Sequence, residues 1–154
     1  MQIQYRQAKI SDISSLSQMR WDFQIVGREN FLDIKEEFKK SCEEFLENSF
    51  KSGNWLHFIA EYQEEIIAHV SLQIVTNIPI PNNLENSWAY LTNAYTKLEF
   101  RKKGIGTQLI QNALEWADNN DIHKIILWPR DASIKIYKRF GFIKNSDIME
   151  RHIE

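Results

Sequence analysis

The chain has 154 residues, 43% hydrophobic and 12% aromatic, so it can bury a core without disulfides or metals and is not disordered. A net charge of −2 excludes a global basic field that would attract nucleic acid or anionic lipid. The lone cysteine, Cys42, excludes an intramolecular disulfide. The sequence shows neither the apolar core of a signal peptide nor an apolar run of roughly 18 residues. We therefore expect one cytoplasmic domain over residues 1–154, without membrane contact.

The first part of the chain predicts one strand and two helices. Ile3, Tyr5 and Gln7 alternate with polar residues, which is typical of a short strand. Ser11 and Asp12 are helix caps before a first helix, whose apolar residues have helical spacing: Ile13, Leu16, Met19 and Phe23. A second helix is predicted from the cap at residue 33 to the stop at residue 53, with an apolar stripe of Ile34, Phe38, Cys42, Phe45 and Leu46.

The second part alternates strands with helices. After residue 53 the apolar period changes to two, which predicts strands over residues 55–61 and 66–75. Prolines exclude a central strand over residues 77–83. We then predict a strand at 88–96, a helix at 104–119, a short strand at 124–128, a helix to about residue 140, and one or two closing strands. This order predicts an α/β or α+β fold with helices packed on a sheet.

A basic turn stands between the strand at 88–96 and the helix that follows it. Its sequence, EFRKKGIGTQLI at residues 99–110, places Arg101, Lys102 and Lys103 before two glycines. The first N–H groups of a helix have no intrahelical partner, and the helix dipole makes that end positive. Glycines let an oxygen-rich ligand approach the backbone, so the turn is a candidate anion site. A basic surface turn with a loop glycine is the other interpretation.

Two common phosphate motifs do not fit this turn. The Walker pattern needs a lysine directly after its second glycine, whereas here the lysines precede Gly104 and Gly106. The dinucleotide fingerprint needs a third glycine, and Leu109 occupies that position.

Two segments resemble motifs of the GNAT superfamily of acyl-CoA-dependent N-acetyltransferases. Arg101, Gly104 and Gly106 stand at the positions of its Arg/Gln-x-x-Gly-x-Gly/Ala motif, between a strand and an amphipathic helix. Residues 125–142 resemble the later strand and helix of the family, which end in Tyr-x-x-x-Gly-Phe, here residues 137–142. Residues 90–101 are also similar to the strand that leads into the first motif.

The resemblance implies a GNAT-like, mixed, mostly antiparallel central sheet with helices on both faces. It also implies acetyl transfer from acetyl-CoA to a primary amine on a small molecule or peptide, without a metal. Dimers are common in this family, so we expect that the protein can form a homodimer. We do not expect it to bind nucleic acid. The pantetheine arm is expected to pair with a splayed strand edge at Ala94, Tyr95 and Thr96. The pyrophosphate is expected on the turn formed by Arg101, Lys102, Lys103, Gly104, Ile105, Gly106 and Thr107.

Tyr137 is the candidate catalytic residue that the resemblance implies. A positioned phenol can protonate the departing CoA thiolate. The alternative is that the Tyr137 ring only packs on its helix beside Phe140. Cys42 lies on an apolar helical stripe and is interpreted as a core residue rather than a nucleophile, because direct transfer between two bound substrates does not require one.

The sequence does not identify the general base that would deprotonate the amine. Many members of the family have a glutamate at the position of Tyr90, and here it is absent. His69, Glu61 and a water held by Asn93 or Tyr90 are the candidates, and an ordinary place in the sheet is the alternative for both side chains. The missing glutamate also leaves a second hypothesis, a non-catalytic acyl-CoA-binding sensor or interaction module. Arg130 stands where the family often has Asn or Ser, so one pantetheine contact is expected to differ.

Overall fold

The computed structural model describes residues 1–145 and 147–153. Its strands and helices are β1 (Gln4–Gln7), α1 (Ile13–Ile25), α2 (Lys35–Ser52), β2 (Trp55–Tyr62), β3 (Glu65–Thr76), β4 (Ser87–Thr96), α3 (Ile105–Asn119), β5 (Ile125–Ile126) and α4 (Ile134–Arg139). The strands form one sheet in the order β1-β2-β3-β4-β5, in which only the β4–β5 pair is parallel. The predicted mixed, mostly antiparallel sheet is confirmed.

Helices cover both faces of this sheet. The amphipathic helix α3 buries Leu109, Ala113 and Ala117 in one core, together with the central strand residues Val70 and Leu72. Burial of one such leucine contributes about 1.5–3 kcal/mol. The opposite face holds a second core from α1, α2 and the sheet, which contains Ile13, Leu16, Met19, Leu46 and Ile59. The helices α1 and α3 therefore lie on opposite faces.

A β-bulge in β4 changes which face its side chains meet. Asn93 and Ala94 of β4 stand opposite the single residue Val70 of β3, and Asn93 has a left-handed backbone with φ of +54°. Before the bulge, Leu91 packs in the α3 core, whereas Tyr95 packs against the α1 core. In an uninterrupted strand these two residues would share a face, because side chains alternate with a period of two.

Four details differ from the sequence prediction. Phe45 of α2 is 49% exposed, and Ser49 is buried in its place beside His57. The five tryptophans of the sequence are predicted to lie mostly in the core, but Trp128 is 57% exposed, because it follows the end of β5 at Ile126. The strand β5 is shorter than the predicted 124–128. No closing strand occurs among residues 142–145 and 147–153, because these residues form no ladder with the sheet.

Candidate active site

The strands β4 and β5 separate partway along the sheet. They pair only at Ala89 with Ile125 and at Tyr90 with Ile126, while β4 continues to Thr96. Residues 91–96 therefore have no β5 partner along one backbone edge. The gap between the strands forms a cleft of about 800 Å³. Its edge offers backbone N–H and C=O groups to an extended ligand, as a sheet edge does to an added strand.

Side chains from both faces of the sheet line the cleft. Arg20 and Phe23 of α1 line it from one face, and Ile110 of α3 and Tyr137 of α4 line it from the other. Residues of three different helices are therefore brought together at the edge of β4.

The turn before α3 presents a row of free backbone donors. Lys102 and Gly104 have left-handed backbones, with φ of +60° and +78°. The first helical bond of α3 runs from the Gln108 N–H to the Gly104 carbonyl at 2.9 Å. Within the described part of the chain, the N–H groups of residues 102–107 have no backbone acceptor. The turn thus combines free N–H groups, a helix N-terminus and cationic side chains, which together favour an anion.

Gly106 and Arg101 hold this turn against the end of β4. A Cβ atom at Gly106 would lie 3.2 Å from Oγ1 of Thr96, a tight contact, so glycine favours the close approach of α3 to the strand. The Nε of Arg101 donates to the carbonyl oxygen of Thr96 at 2.9 Å. The guanidinium carbon also lies 5.6 Å from the centre of the Tyr95 ring. Arg101 therefore contacts the turn and the strand at once.

The cleft brings together nearly all the cofactor-binding residues that the family resemblance implies. Lys103 does not line it, because its Nζ lies 5.4 Å from the centre of the Phe100 ring instead. The predicted residues that line the cleft are Ala94, Tyr95, Thr96, Arg101, Lys102, Gly104, Ile105, Gly106 and Thr107.

Tyr137 lies in the same cleft with its ring mostly enclosed. The residue is 8% exposed, and its ring packs edge-on against Phe142 with centroids 5.7 Å apart. Its hydroxyl has no hydrogen-bond partner among the described residues. Burial raises the pKa of Tyr137, because the apolar surroundings disfavour the phenolate. The phenol therefore stays protonated near neutral pH, as a proton donor must.

The two candidate bases are placed very differently. His69 lines the cleft and is 2% exposed, and within the described structure neither ring nitrogen has a hydrogen-bond partner. Burial lowers the pKa of His69 to about 4. The nearby backbone of Asn93 acts in the opposite direction and raises this pKa, but less than burial lowers it, and it does not meet the geometry of a hydrogen bond to either ring nitrogen. Glu61 does not line the cleft; its carboxylate binds Arg6 at 2.6 Å, and Arg6 also binds Asp12. Glu61 thus belongs to a structural ion-pair network.

Sequence reasoning did not identify Arg20 as a cleft residue. Its Nη1 donates to Oδ1 of Asn93 at 3.0 Å, and burial lowers the pKa of Arg20. Arg130 also lines the cleft, with its guanidinium carbon 4.4 Å from the centre of the Phe23 ring. The sequence did contain one indication that Arg20 faces the sheet. Arg20 follows Leu16 by four residues, so both lie on the same face of α1.

The cleft combines two kinds of binding surface. The free edge of β4 offers backbone groups to an extended amide-containing ligand, and the N–H groups of residues 102–107 offer donors to an anionic group. No group of three His, Cys, Asp or Glu side chains suited to a metal ion occurs in residues 1–145 or 147–153. Over the same residues, no helix has the length and apolar character needed to span a membrane.

Comparisons with known proteins agree with this geometry. Residues 16–142 match the model of the acetyltransferase (GNAT) family. A predicted acetyltransferase of Clostridium acetobutylicum, crystallised with acetyl-CoA, is 28% identical, with a TM-score of 0.81 over 98% of this chain and 96% of that chain. A GCN5-related N-acetyltransferase of Ralstonia eutropha is 19% identical, with a TM-score of 0.77 over 98% of this chain and 99% of that chain. At this low identity the similarity shows a shared fold only.

A curated relative matches over a shorter segment. Streptothricin acetyltransferase A of Bacillus subtilis is 33% identical over 61 residues, which are 38% of this chain and 35% of that protein. The match therefore spans about a third of the length of this relative.

Proposed function

Because the chain belongs to the GNAT acetyltransferase family, we propose that it transfers the acetyl group of acetyl-CoA to a primary amine, by direct attack while both substrates are bound. One observation supports this most directly. A single cleft joins the unpaired edge of β4 to the free N–H groups before α3 and is lined by side chains from both faces of the sheet.

The residues of this cleft divide the binding of acetyl-CoA between them. The backbone of Ala94, Tyr95 and Thr96 pairs with the pantetheine amides, and the N–H groups of residues 102–107 bind the pyrophosphate. Lys102 adds a point charge, and Arg101 fixes the turn through its bond to Thr96. The bound thioester supplies an activated acetyl group attached to a thiolate leaving group.

Two groups of the chain then act on the reacting atoms. A backbone N–H of residues 94–96 donates to the thioester carbonyl oxygen as negative charge develops there, an effect worth about 3–4 kcal/mol per donor in other enzymes. The protonated phenol of Tyr137 donates its proton to the leaving sulfur. Binding both substrates in one cleft removes the entropic cost of bringing them together.

The proton of the amine leaves to water in this proposal. None of the described residues that line the cleft is Asp or Glu, and His69 is too weak a base at a pKa of about 4 to compete for an ammonium proton. Tyr90 and Asn93 line the route from the acceptor face and can hold such a water.

Isothermal titration with acetyl-CoA tests this function first. The wild type should bind with a micromolar dissociation constant, and the double variant Gly104→Glu, Gly106→Glu should lose binding, because carboxylates would occupy the anion site. Gly53→Glu is the control matched to Gly104, since both glycines have a positive φ and open surroundings, but Gly53 lies at the end of α2. Folded wild-type protein without acetyl-CoA binding would contradict the proposal. A screen of amines with thiol-release detection follows.

A second function has one observation in its favour. The lining of the cleft lacks a carboxylate base over the described residues, and Tyr90, at the family's frequent glutamate position, packs against Trp128 with ring centres 5.0 Å apart. A non-catalytic acyl-CoA sensor would have such a site. Tight binding of acetyl-CoA without acetylation of any amine in the screen would favour it.

A further inference from the structure

The charges in the cleft are all of one sign. Five cationic residues line it, and no Asp or Glu from residues 1–145 or 147–153 does. These five are Arg20, Arg101, Lys102, Arg130 and Arg139. The carboxylates of Asp22 and Glu99 line only the adjoining outer cavity of about 730 Å³. A ligand in the inner cleft therefore meets cations alone.

Arg20 stands apart from the cations that face the pyrophosphate. Arg101 and Lys102 belong to the turn before α3, whereas Arg20 projects from α1, on the opposite face of the sheet. Its guanidinium is half-buried, and among the described residues no carboxylate forms an ion pair with it. Its bond to the neutral amide of Asn93 uses Nη1, which leaves Nε and Nη2 for another acceptor. These two donors form a planar fork that fits a carboxylate or phosphate.

His69 is a second, independent indication of a ligand at this place. Its imidazole is almost fully buried in the cleft wall, and both nitrogens lack partners within the described structure. A buried polar group without a partner is costly, which is why such groups usually bind something. Asn93, which accepts the hydrogen bond from Arg20, lies opposite Val70, the chain neighbour of His69, and both Arg20 and His69 line the cleft. A neutral imidazole offers one N–H donor to an anion.

We propose that Arg20 and His69 form an anion subsite at the acceptor end of the cleft, so that the amine substrate also carries a carboxylate or phosphate. This rests on the proposed acetyl transfer and adds the chemical class of the acceptor. Polyamines and aminoglycosides are disfavoured as acceptors, because their additional ammonium groups would face Arg20 and Arg130 with no carboxylate in the inner lining.

Matched amines provide the first test. Lysine is cadaverine with one added carboxylate, and phosphoethanolamine is ethanolamine with one added phosphate, so each pair isolates one anionic group. With acetyl-CoA in excess, the anionic member of at least one pair should have a kcat/KM at least about tenfold higher, as expected for a charge-assisted hydrogen bond. The pair that responds identifies the group. Equal rates, or faster acetylation of cadaverine and ethanolamine, would overturn the proposal.

Variants of Arg20 provide the second test. Arg20→Gln should raise the KM of the preferred anionic amine about tenfold or more and should not raise the KM of the counterpart that lacks the anionic group, whereas Arg20→Lys should retain part of the preference. Arg28→Gln is the matched control, because Arg28 is an exposed cation on the same side and should change KM less than about twofold. Equal losses in Arg20→Gln and Arg28→Gln would show a diffuse charge effect and contradict a specific subsite.

A binding measurement makes the test independent of turnover. The protein is first saturated with CoA, which fills the anion site before α3, and the ring signals of His69 are then followed by NMR. Addition of Nε-acetyl-lysine or of inorganic phosphate should shift these signals in the wild type and not in Arg20→Gln, while N-acetylcadaverine should leave them in place. If CoA binds but neither anion shifts His69, the subsite is wrong and the proposed function stands. If CoA itself does not bind, the proposed function fails.

Discussion

Arg20 of α1 donates a hydrogen bond of 3.0 Å to the amide oxygen of Asn93, the residue at the bulge of β4. The bond joins a helix on the acceptor face to the strand whose free edge faces the proposed acetyl-CoA arm. Asn93 also has a positive φ, which asparagine tolerates better than most residues. One residue therefore shapes the backbone of the cleft and positions a cation within it.

Replacement of Asn93 separates these two roles. Asn93→Gly keeps the left-handed backbone and loses the side-chain bond, so we expect a loss of stability of less than about 1 kcal/mol. Asn93→Ala loses both, and we expect about 1–2 kcal/mol. Urea unfolding of the two variants measures the difference. Equal stabilities would show that the positive φ at this position costs nothing.

Replacement of Gly106 tests the close approach of α3 to β4. Gly106→Ala would place its Cβ 3.2 Å from Oγ1 of Thr96, so the Thr96 side chain or the helix start must shift by a few tenths of an ångström. We expect a loss of about 1 kcal/mol in stability and weaker acetyl-CoA binding. Thr96→Ala in the same chain removes the obstructing atom and should restore most of both quantities in a double-mutant cycle. Simple additivity of the two changes would contradict this contact as the cause.

Tyr137→Phe tests the proposed proton donor. Loss of the hydroxyl should lower kcat about 100-fold, because general-acid catalysis typically contributes 10²–10⁴-fold, and leave acetyl-CoA affinity within about twofold. Tyr5→Phe is the control, since burial also raises the pKa of Tyr5 but its ring packs outside the cleft. Unchanged kcat in Tyr137→Phe across the pH range would reduce Tyr137 to a packing residue.

The pH dependence of catalysis tests the absence of a protein base. If the amine loses its proton to water, kcat/KM should rise with pH toward the pKa of the amine itself, about 10.4 for a lysine-type side chain. A base such as His69, with its pKa of about 4, would instead be fully active above pH 5 and add no inflection near neutrality. An inflection between pH 6 and 8 that belongs to the enzyme would indicate a base that the structure does not identify.

Two buried histidines should make the fold less stable in acid. Burial lowers the pKa of both His57 and His69 to about 4, below the value of about 6.5 in an unfolded chain. Below pH 6.5 the unfolded chain therefore binds more protons than the folded one. The contribution of the neutral, buried histidines to the free energy of unfolding is complete above pH 6.5 and is lost as the pH falls toward 4. Between pH 7 and 5 we expect a loss on the order of 1–2 kcal/mol per histidine.

The slope of the free energy of unfolding against pH tests whether the buried histidines cause the loss of stability in acid. His57, between the hydroxyls of Ser49 and Ser71 at 2.8 Å each, can be replaced by Gln. Urea unfolding of His57→Gln at both pH values should show a smaller loss than the wild type, even if its stability at pH 7 is lower. His152→Gln, an exposed control, should retain the full wild-type slope. The same slope in His57→Gln would mean that its burial does not control acid stability.

Local patterns were sufficient for most of the fold. The period of apolar residues predicted α1, α2, α3 and the strands β1 to β4 close to their observed bounds. The glycines and cations before α3 predicted a turn whose N–H groups are free, because helix ends and left-handed turns depend on a few neighbouring residues. The same patterns overestimated β5 and the burial of Phe45 and Trp128, since exposure depends on what the rest of the chain places nearby.

The sequence by itself determined most of the elements, the family motifs and the position of the candidate anion-binding turn, because each follows from spacing within a short stretch of chain. Only the tertiary structure decided which residues line the cleft from the α1 face. The bulge at Asn93 turns Tyr95 toward α1, and three residues far apart in the sequence, Arg20, His69 and Asn93, line one cleft. It also assigned Glu61 to an ion pair with Arg6 outside the cleft. Such juxtapositions depend on strand register and on which helix covers which face, and these are set by packing across the whole chain.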